Sequence, residues 1–220
     1  MKEISIFDVI GPNMIGPSSS HTAGAVRIAL MARKLIQKPI CEVKFILYGS
    51  FAQTYKGHGT DKALVAGILG MDTEDERIRD AFKYAEDAEL QYSFEPNTTE
   101  ITDHPNTVKI IAKDESGDVM SVVGASIGGG NIRIDQINGI HVEFTGEYCT
   151  MIIKQQDTPG VVAHITQALS EYNINIAFMR LYREGRGTLA YTIIETDELI
   201  DEGVQDKIRE NPSILKVTII

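Results

Sequence analysis

From Tyr148 to Ile220 the residues follow a single order of elements, β-α-β-β-α-β, which leaves few folds open. CTMIIKQQ (149–156) reads as a strand, and Asp157-Thr158-Pro159-Gly160 as a turn that opens a helix. Val161, Ile165, Ala168 and Leu169 give that helix one apolar face. INIAFMRLYRE (174–184) and TLAYTIIET (188–196) read as two strands joined by a hairpin marked by Gly185 and Gly187. A helix over Glu198–Asn211 and a strand over Ile214–Ile220 complete the ferredoxin-like split motif. A unit of about seventy residues sits near the lower size limit for a self-sufficient core, so the pattern predicts pairing with a second copy.

The part before it has a different texture, and the expected class is α+β: a mixed α/β domain over 1–147, then the ferredoxin-like unit over 148–220. Glu3–Ile10 reads as a short strand. A helix after His21 carries Ala25, Ile28, Ala32 and Leu35 at intervals of three and four and is ended by Pro39. A buried strand over Cys41–Tyr48 leads into a loop, GSFAQTYKGHGT, and then a helix over Asp61–Leu69 that Gly70 stops. Glu74–Leu90 reads as a third helix. Strands follow over Thr107–Lys113 and Val119–Ile127, and Asn138-Gly139 marks a hairpin between IRIDQI and IHVEF.

Within this part, Ser18-Ser19-Ser20-His21-Thr22 holds no apolar residue and so is not core. It lies where a Gly/Pro-rich turn gives way to a helix. Four hydroxyls and an imidazole there meet the free N–H groups and partial positive charge of a helix start, an anion-accepting setting with a titratable group in it. An ordinary N-cap is the plain structural alternative, but a cap needs one hydroxyl. Lys56-Gly57-His58-Gly59-Thr60 sets a second histidine between glycines, which permit close approach of a ligand. Gly128-Gly129-Gly130 lacks the strand–GxGxxG–helix context of a dinucleotide site and reads equally as a bulge or wide turn. His104, His141 and His164 read as structural.

The formal net charge of -10 argues against nucleic acid or an anionic membrane as partner. Two cysteines, Cys41 and Cys149, make neither a metal-ligand spacing nor a disulfide framework, and they fit a reducing cytoplasm. The opening MKEISIFDVI is broken by Glu3 and Asp8 and lacks the apolar stretch of a signal peptide.

Two resemblances follow from these motifs. Tyr148–Ile220, through Asp157-x-Pro159-Gly160-Val161-Val162 and Asn173-Ile174-Asn175-Ile176, resembles the ACT domain. That implies a regulatory small amino acid, L-serine before others, held near Asp157, Pro159, Gly160, Val161, Val162 and Asn175. Pro159-Gly160 as a mere turn and Asn175 as a cap remain open beside it.

Ile4–Thr145 resembles the β chain of the iron–sulfur-dependent L-serine dehydratases. The motifs are Gly16-Pro17-Ser18-Ser19-Ser20-His21-Thr22, Tyr48-Gly49-Ser50-Phe51-Ala52, Gly57-His58-Gly59-Thr60-Asp61-Lys62 and Ser126-Ile127-Gly128-Gly129-Gly130. This resemblance implies a lyase that converts L-serine to pyruvate and ammonia, in amino-acid catabolism and gluconeogenesis. Its implied catalytic residues are Ser18, Ser19, Ser20, His21, Thr22, His58, Gly59 and Thr60. Its implied [4Fe-4S] cluster needs about three or four thiolates, more than Cys41 and Cys149 supply, so the expected carrier is a separate L-serine dehydratase α subunit, without which this chain is inactive. Either His21 or His58 can serve proton transfer at this point of the argument. A purely amino-acid-sensing subunit and a hydrolase using Ser20 and His21 are the competing readings. The second lacks an orienting carboxylate.

Overall fold

The computed structural model describes residues 13–220; the strand expected over Glu3–Ile10 lies outside the described residues. The chain divides into two compact units, Met1–Gly139 and Ile140–Ile220.

In the first unit a π-helical turn over Ser19–Ala23 runs into α1 (Gly24–Ile36). The buried stripe is the one the periodicity gives: Ala25, Ile28, Ala29 and Ala32 are wholly buried and Leu35 nearly so. The helix ends before Pro39 because Gln37 turns left-handed, at φ 63°, and returns its N–H to the Arg33 carbonyl. β1 (Ile40–Tyr48) follows, then α2 (Gly49–Thr54) and α3 (Thr60–Ile68). α1 and α3 cross closely at Gly67, where a Cβ would lie 2.5 Å from the Val26 carbonyl oxygen and 2.6 Å from the Ala29 Cβ. An Arg33 guanidinium N–H donates to the Ile68 carbonyl at 2.8 Å and satisfies the end of α3.

Three expectations are corrected here. The stretch read as a loop over 49–60 opens with α2, because Gly49 adopts φ 52° and its neighbour Ser50 donates its N–H to the Pro105 carbonyl at 2.7 Å. The single helix expected over Glu74–Leu90 is two pieces. Asp75 caps a 3-10 turn over Glu76–Asp80, and α4 (Ala81–Asp87) continues from it. A strand that the pattern did not suggest, β2 (Gln91–Asn97), lies parallel to β1. Its Pro96 lacks an N–H and is tolerated because β2 is the outer strand.

β3 (Thr107–Asp114), β4 (Val119–Gly128), β5 (Asn131–Ile137) and β6 (Ile140–Phe144) complete a six-stranded sheet of order β2-β1-β3-β4-β5-β6. The β5–β6 turn carries Asn138 and Gly139 at φ 52° and 79°, the conformation that Asn-Gly favours. Phe45, Leu47, Val108, Ile110, Val122 and Ile134 build the buried face of the sheet.

The second unit has the ferredoxin-like order: β7 (Cys149–Gln156), α5 (Val161–Glu171), β8 (Ile176–Arg183), β9 (Leu189–Thr196), α6 (Glu202–Arg209) and β10 (Ile214–Ile219). Its antiparallel sheet runs β10-β7-β9-β8. Met151, Ile153, Ile165, Leu169, Ile194 and Val204 form its core. β8 is an outer strand and exposes Phe178 and Leu181.

Candidate functional site

The polar run after Pro17 forms one widened turn. Ser18 is extended (φ −144°, ψ 124°), and its Oγ accepts the His21 N–H at 3.2 Å. The Gly24 N–H reaches back five residues to the Ser19 carbonyl, which defines the π turn. Such turns concentrate at functional sites because they re-aim side chains within a helix.

His21 is held from both sides. Its Nδ1 lies 3.4 Å from Ser18 Oγ, and its Nε2 lies 3.0 Å from Ser50 Oγ at the start of α2. The Phe51 ring stands edge-on to it, with centroids 5.3 Å apart. The His58 ring is tilted against it at 4.8 Å. Thr22, almost fully buried, donates its hydroxyl to the His58 carbonyl at 3.3 Å and so ties the two loops together. Gly59 takes φ 70° and turns the loop into α3, whose first residue, Thr60, is fully buried. His58 Nδ1 and Thr60 Oγ1 are buried without a hydrogen-bond partner among the described residues.

The four polar motifs come to one end of the first unit. A Cβ on Gly24 would overlap Ser126, so the start of α1 sits directly on β4. Arg27 donates to the Gly130 carbonyl at 2.9 Å, tying α1 to the β4–β5 turn, in which Gly128, Gly129 and Gly130 all have positive φ. Ser18, Ser19, Ser20, His21, Thr22, His58, Gly59 and Thr60 therefore lie in two joined loops. Ser50, which the sequence offers only as part of a motif, and the segment His104–Asn106, whose histidine reads from sequence as structural, join them. Pro105 anchors Ser50, the Asn106 carbonyl accepts the Ser126 N–H at 2.9 Å, and Asn106 Oδ1 and Ser126 Oγ are further buried polar atoms without partners among the described residues. A usable signal was the polar run His104-Pro105-Asn106-Thr107 just before a strand.

Burial, and then the neighbouring His58, push the His21 imidazole below its ordinary value of 6.5. Burial, and then Arg133, does the same to His104. A histidine whose folded pKa is depressed lets the unfolded chain take up the proton first. Stability should therefore hold above pH 6.5 and fall as pH drops from there toward the lowered folded value. His21→Gln should flatten part of that decline. Urea midpoints of both chains between pH 7.5 and 5 check this; parallel curves would refute it.

In the second unit, Asp157, Thr158, Pro159, Gly160, Val162, Arg183, Arg186 and Gly187 line a surface cleft of about 520 Å³. Gly160, at φ 88°, precedes α5, and Val161 is buried behind it. The Gly187 N–H at 2.9 Å, followed by Arg183, holds the Asp157 carboxyl below its usual range. Asn175 is not in this cleft. Its N–H donates to Glu198 and its side-chain amide to Asp197, beside the Ile176–Thr196 end of the sheet. The cleft adjoins the opposite end, where Gln156 faces Leu189. The two ends are about 23 Å apart at roughly 3.3 Å per residue.

No three His, Cys, Asp or Glu side chains gather as a metal-ligand set among the described residues. Cys41 Sγ lies 3.4 Å from the Lys113 and Asp114 carbonyls, and Cys149 opens β7, so the two thiols belong to different units and do not fit an iron–sulfur cluster. No helix of the described residues is long and apolar enough to cross a membrane.

The family described as serine dehydratase beta chain matches residues 5–93, and the ACT domain family matches residues 150–213. A "Probable L-serine dehydratase, beta chain" of Bacillus subtilis (strain 168) is 42% identical over 220 residues, covering 100% of this chain and 99% of that relative. An "L-serine dehydratase, beta chain" of Peptoniphilus asaccharolyticus is 41% identical over 210 residues, with 94% of each chain covered. A D-3-phosphoglycerate dehydrogenase of Methanocaldococcus jannaschii is 33% identical over 115 residues, 52% of this chain and 22% of that one.

Proposed function

The chain belongs to the serine dehydratase beta chain family and is a subunit of a lyase, and from that premise we propose how its own residues serve the conversion of L-serine to pyruvate and ammonia. The reading rests on one observation, the His21–His58 pair at the start of a helix. The first-turn N–H groups and the hydroxyls of Ser18, Ser19 and Ser20 receive the substrate carboxylate. His21, with both ring nitrogens beside serine hydroxyls, orients the site. His58, whose buried Nδ1 has no partner among the described residues, takes the α proton. Thr22, Gly59 and Thr60 hold the His58 loop in place. Loss of the α proton and the β hydroxyl gives aminoacrylate, which tautomerises and hydrolyses to pyruvate and ammonia. Single-turnover exchange of the substrate α proton, compared between wild type and His58→Gln, tests the assignment.

The partner is an α chain, and we assign a [4Fe-4S] cluster to it because the thiols of this chain do not fit one. The pair works in the cytoplasm, and its pyruvate feeds gluconeogenesis.

Residues 148–220 serve as the regulatory module. One ligand can touch both the Asp157–Val162 cleft and Asn175 only if two copies pair. The outer position of β8 in its sheet supports that reading, because it leaves room for two-fold antiparallel pairing along this strand. Such pairing would bring the Asn175 end of one strand to the Arg183 end of the other, and it would cover Phe178. The ligand carboxylate then sits at the start of α5, where nothing lies within 4 Å of a Gly160 Cβ. Gly160→Asp is expected to weaken L-serine binding at this site at least tenfold by calorimetry on the full chain. Gly160→Asn, which tolerates positive φ and adds no charge, should lose far less. Equal losses in both would remove the anion argument.

A further inference from the structure

β2 is the outer strand of the first sheet, and α2 and α4 cover it only in part. Its buried-side residues, Tyr92 and Phe94, continue the face on which Phe45 is fully buried, and the Phe94 and Phe45 rings stack at 5.1 Å. A ladder of rings runs along this edge. Phe82 of α4 stacks on Tyr92 at 5.4 Å, Tyr92 meets Phe94 at 6.0 Å, and Phe94 meets Tyr55 at 5.8 Å. The ladder is only partly covered: Tyr92 remains 37% exposed, and Tyr84 on α4 is 38% exposed. Its upper end is tied to the candidate site. Tyr55 stands three residues before His58, and its carbonyl accepts the Thr60 N–H at 2.9 Å.

We infer that the Tyr55–Phe94–Tyr92–Phe82 ladder is the surface on which the α chain docks, an inference that rests on the proposed reading of His58 as part of a site completed by that chain. Size carries the argument. A stable interface covers about 800 Å² on each partner, a disc of about 16 Å radius if laid flat. Consecutive Cα atoms are about 3.8 Å apart, so Tyr55 lies within roughly 11 Å of His58. A chain that brings its reactive group against a substrate held at His58 therefore comes within reach of Tyr55 and, through it, of the ladder. Aromatic rings backed by a packed core are also the side chains in which binding energy concentrates. Neither a second copy nor an unrelated protein has a comparable reason to sit beside His58.

The test titrates the full chain with the purified α chain. Tyr92→Glu adds a charge at a half-exposed ring and should weaken α binding at least tenfold, with turnover at saturating α near wild type. Tyr92→Phe should bind within twofold of wild type. As a readout free of substitution, amide exchange over Gln91–Asn97 should slow when the α chain is bound. Unchanged α affinity in Tyr92→Glu together with unprotected β2 amides would overturn the inference while leaving the function proposed for His58 intact. Loss of self-association with α binding retained would assign the ladder to a second copy and overturn it equally. A wild-type chain that binds no α chain would sink the functional reading itself.

Discussion

Turnover of the assembled enzyme is expected to fall by about a hundredfold or more when His58 becomes glutamine, the usual scale for a lost acid–base group. Glutamine keeps similar size and polarity but cannot exchange a proton near neutral pH. The surrounding loop should persist, because its anchors are the Thr22 hydroxyl on the His58 carbonyl and the Thr60 N–H on the Tyr55 carbonyl, neither of which uses the ring. The effect should therefore appear in kcat, with the thermal midpoint and α affinity little changed. His21→Gln should also lower turnover, through the lost alignment between Ser18 and Ser50. A purely sensing subunit would behave otherwise: His58→Gln would then shift the apparent affinity for serine and leave kcat in place. Steady-state kinetics of the reconstituted pair separate the two outcomes.

Gly67→Ala should destabilise the first unit strongly for so small a change. The added methyl meets backbone, the Val26 carbonyl at 2.5 Å and the Leu30 nitrogen at 3.1 Å, and no side-chain rotation relieves that. Forcing α1 and α3 apart costs about 3 kcal/mol, at the upper end of ordinary overpacking. Alanine in a helix interior returns about 1 kcal/mol relative to glycine. The net loss is then about 2 kcal/mol, readable as a lowered urea midpoint of the full chain. A midpoint equal to wild type would mean that the helices separate freely. The contact would then not set their spacing.

Elements with a clean period were legible in the sequence. The second unit reads correctly in order because β7 and β9 centre on short apolar stretches, Met151–Ile153 and Leu189–Ile194 broken only by Thr192, and α5 shows a single apolar face. The misses have local causes. β2 alternates only over Tyr92–Glu95 before Pro96 interrupts it, too short a run to stand out, and it forms because Tyr92 and Phe94 find β1 and α4, neither of which its own residues announce. α2 is six residues long, too short to show a period, and depends on Pro105, more than fifty residues away. Within the candidate site, composition singled out the residues of the two loops. The proximity of His21 and His58, the clasp of Ser50 and the contact of Gly24 with Ser126 are products of the tertiary fold. Asn175 shows the converse. It shares a motif with Gly160 in sequence, yet the fold sets them at opposite ends of one sheet.

The wide turn at Ser19–Ala23 separates two requirements that a regular helix would couple. From Gly24 onward α1 needs only its 3.6-residue rhythm to bury Ala25, Ile28 and Ala32. The five-residue reach from Gly24 to Ser19 inserts one residue more than that rhythm calls for. Losing one serine could therefore be absorbed by an ordinary α turn, leaving the buried stripe in register. The rest of the polar run would rotate by about a hundred degrees relative to Ser50. Length ahead of the buried Thr22 and Ala23 is thus a degree of freedom that the α1 stripe does not fix, and a one-residue deletion among the serines would test the site with that stripe still in place.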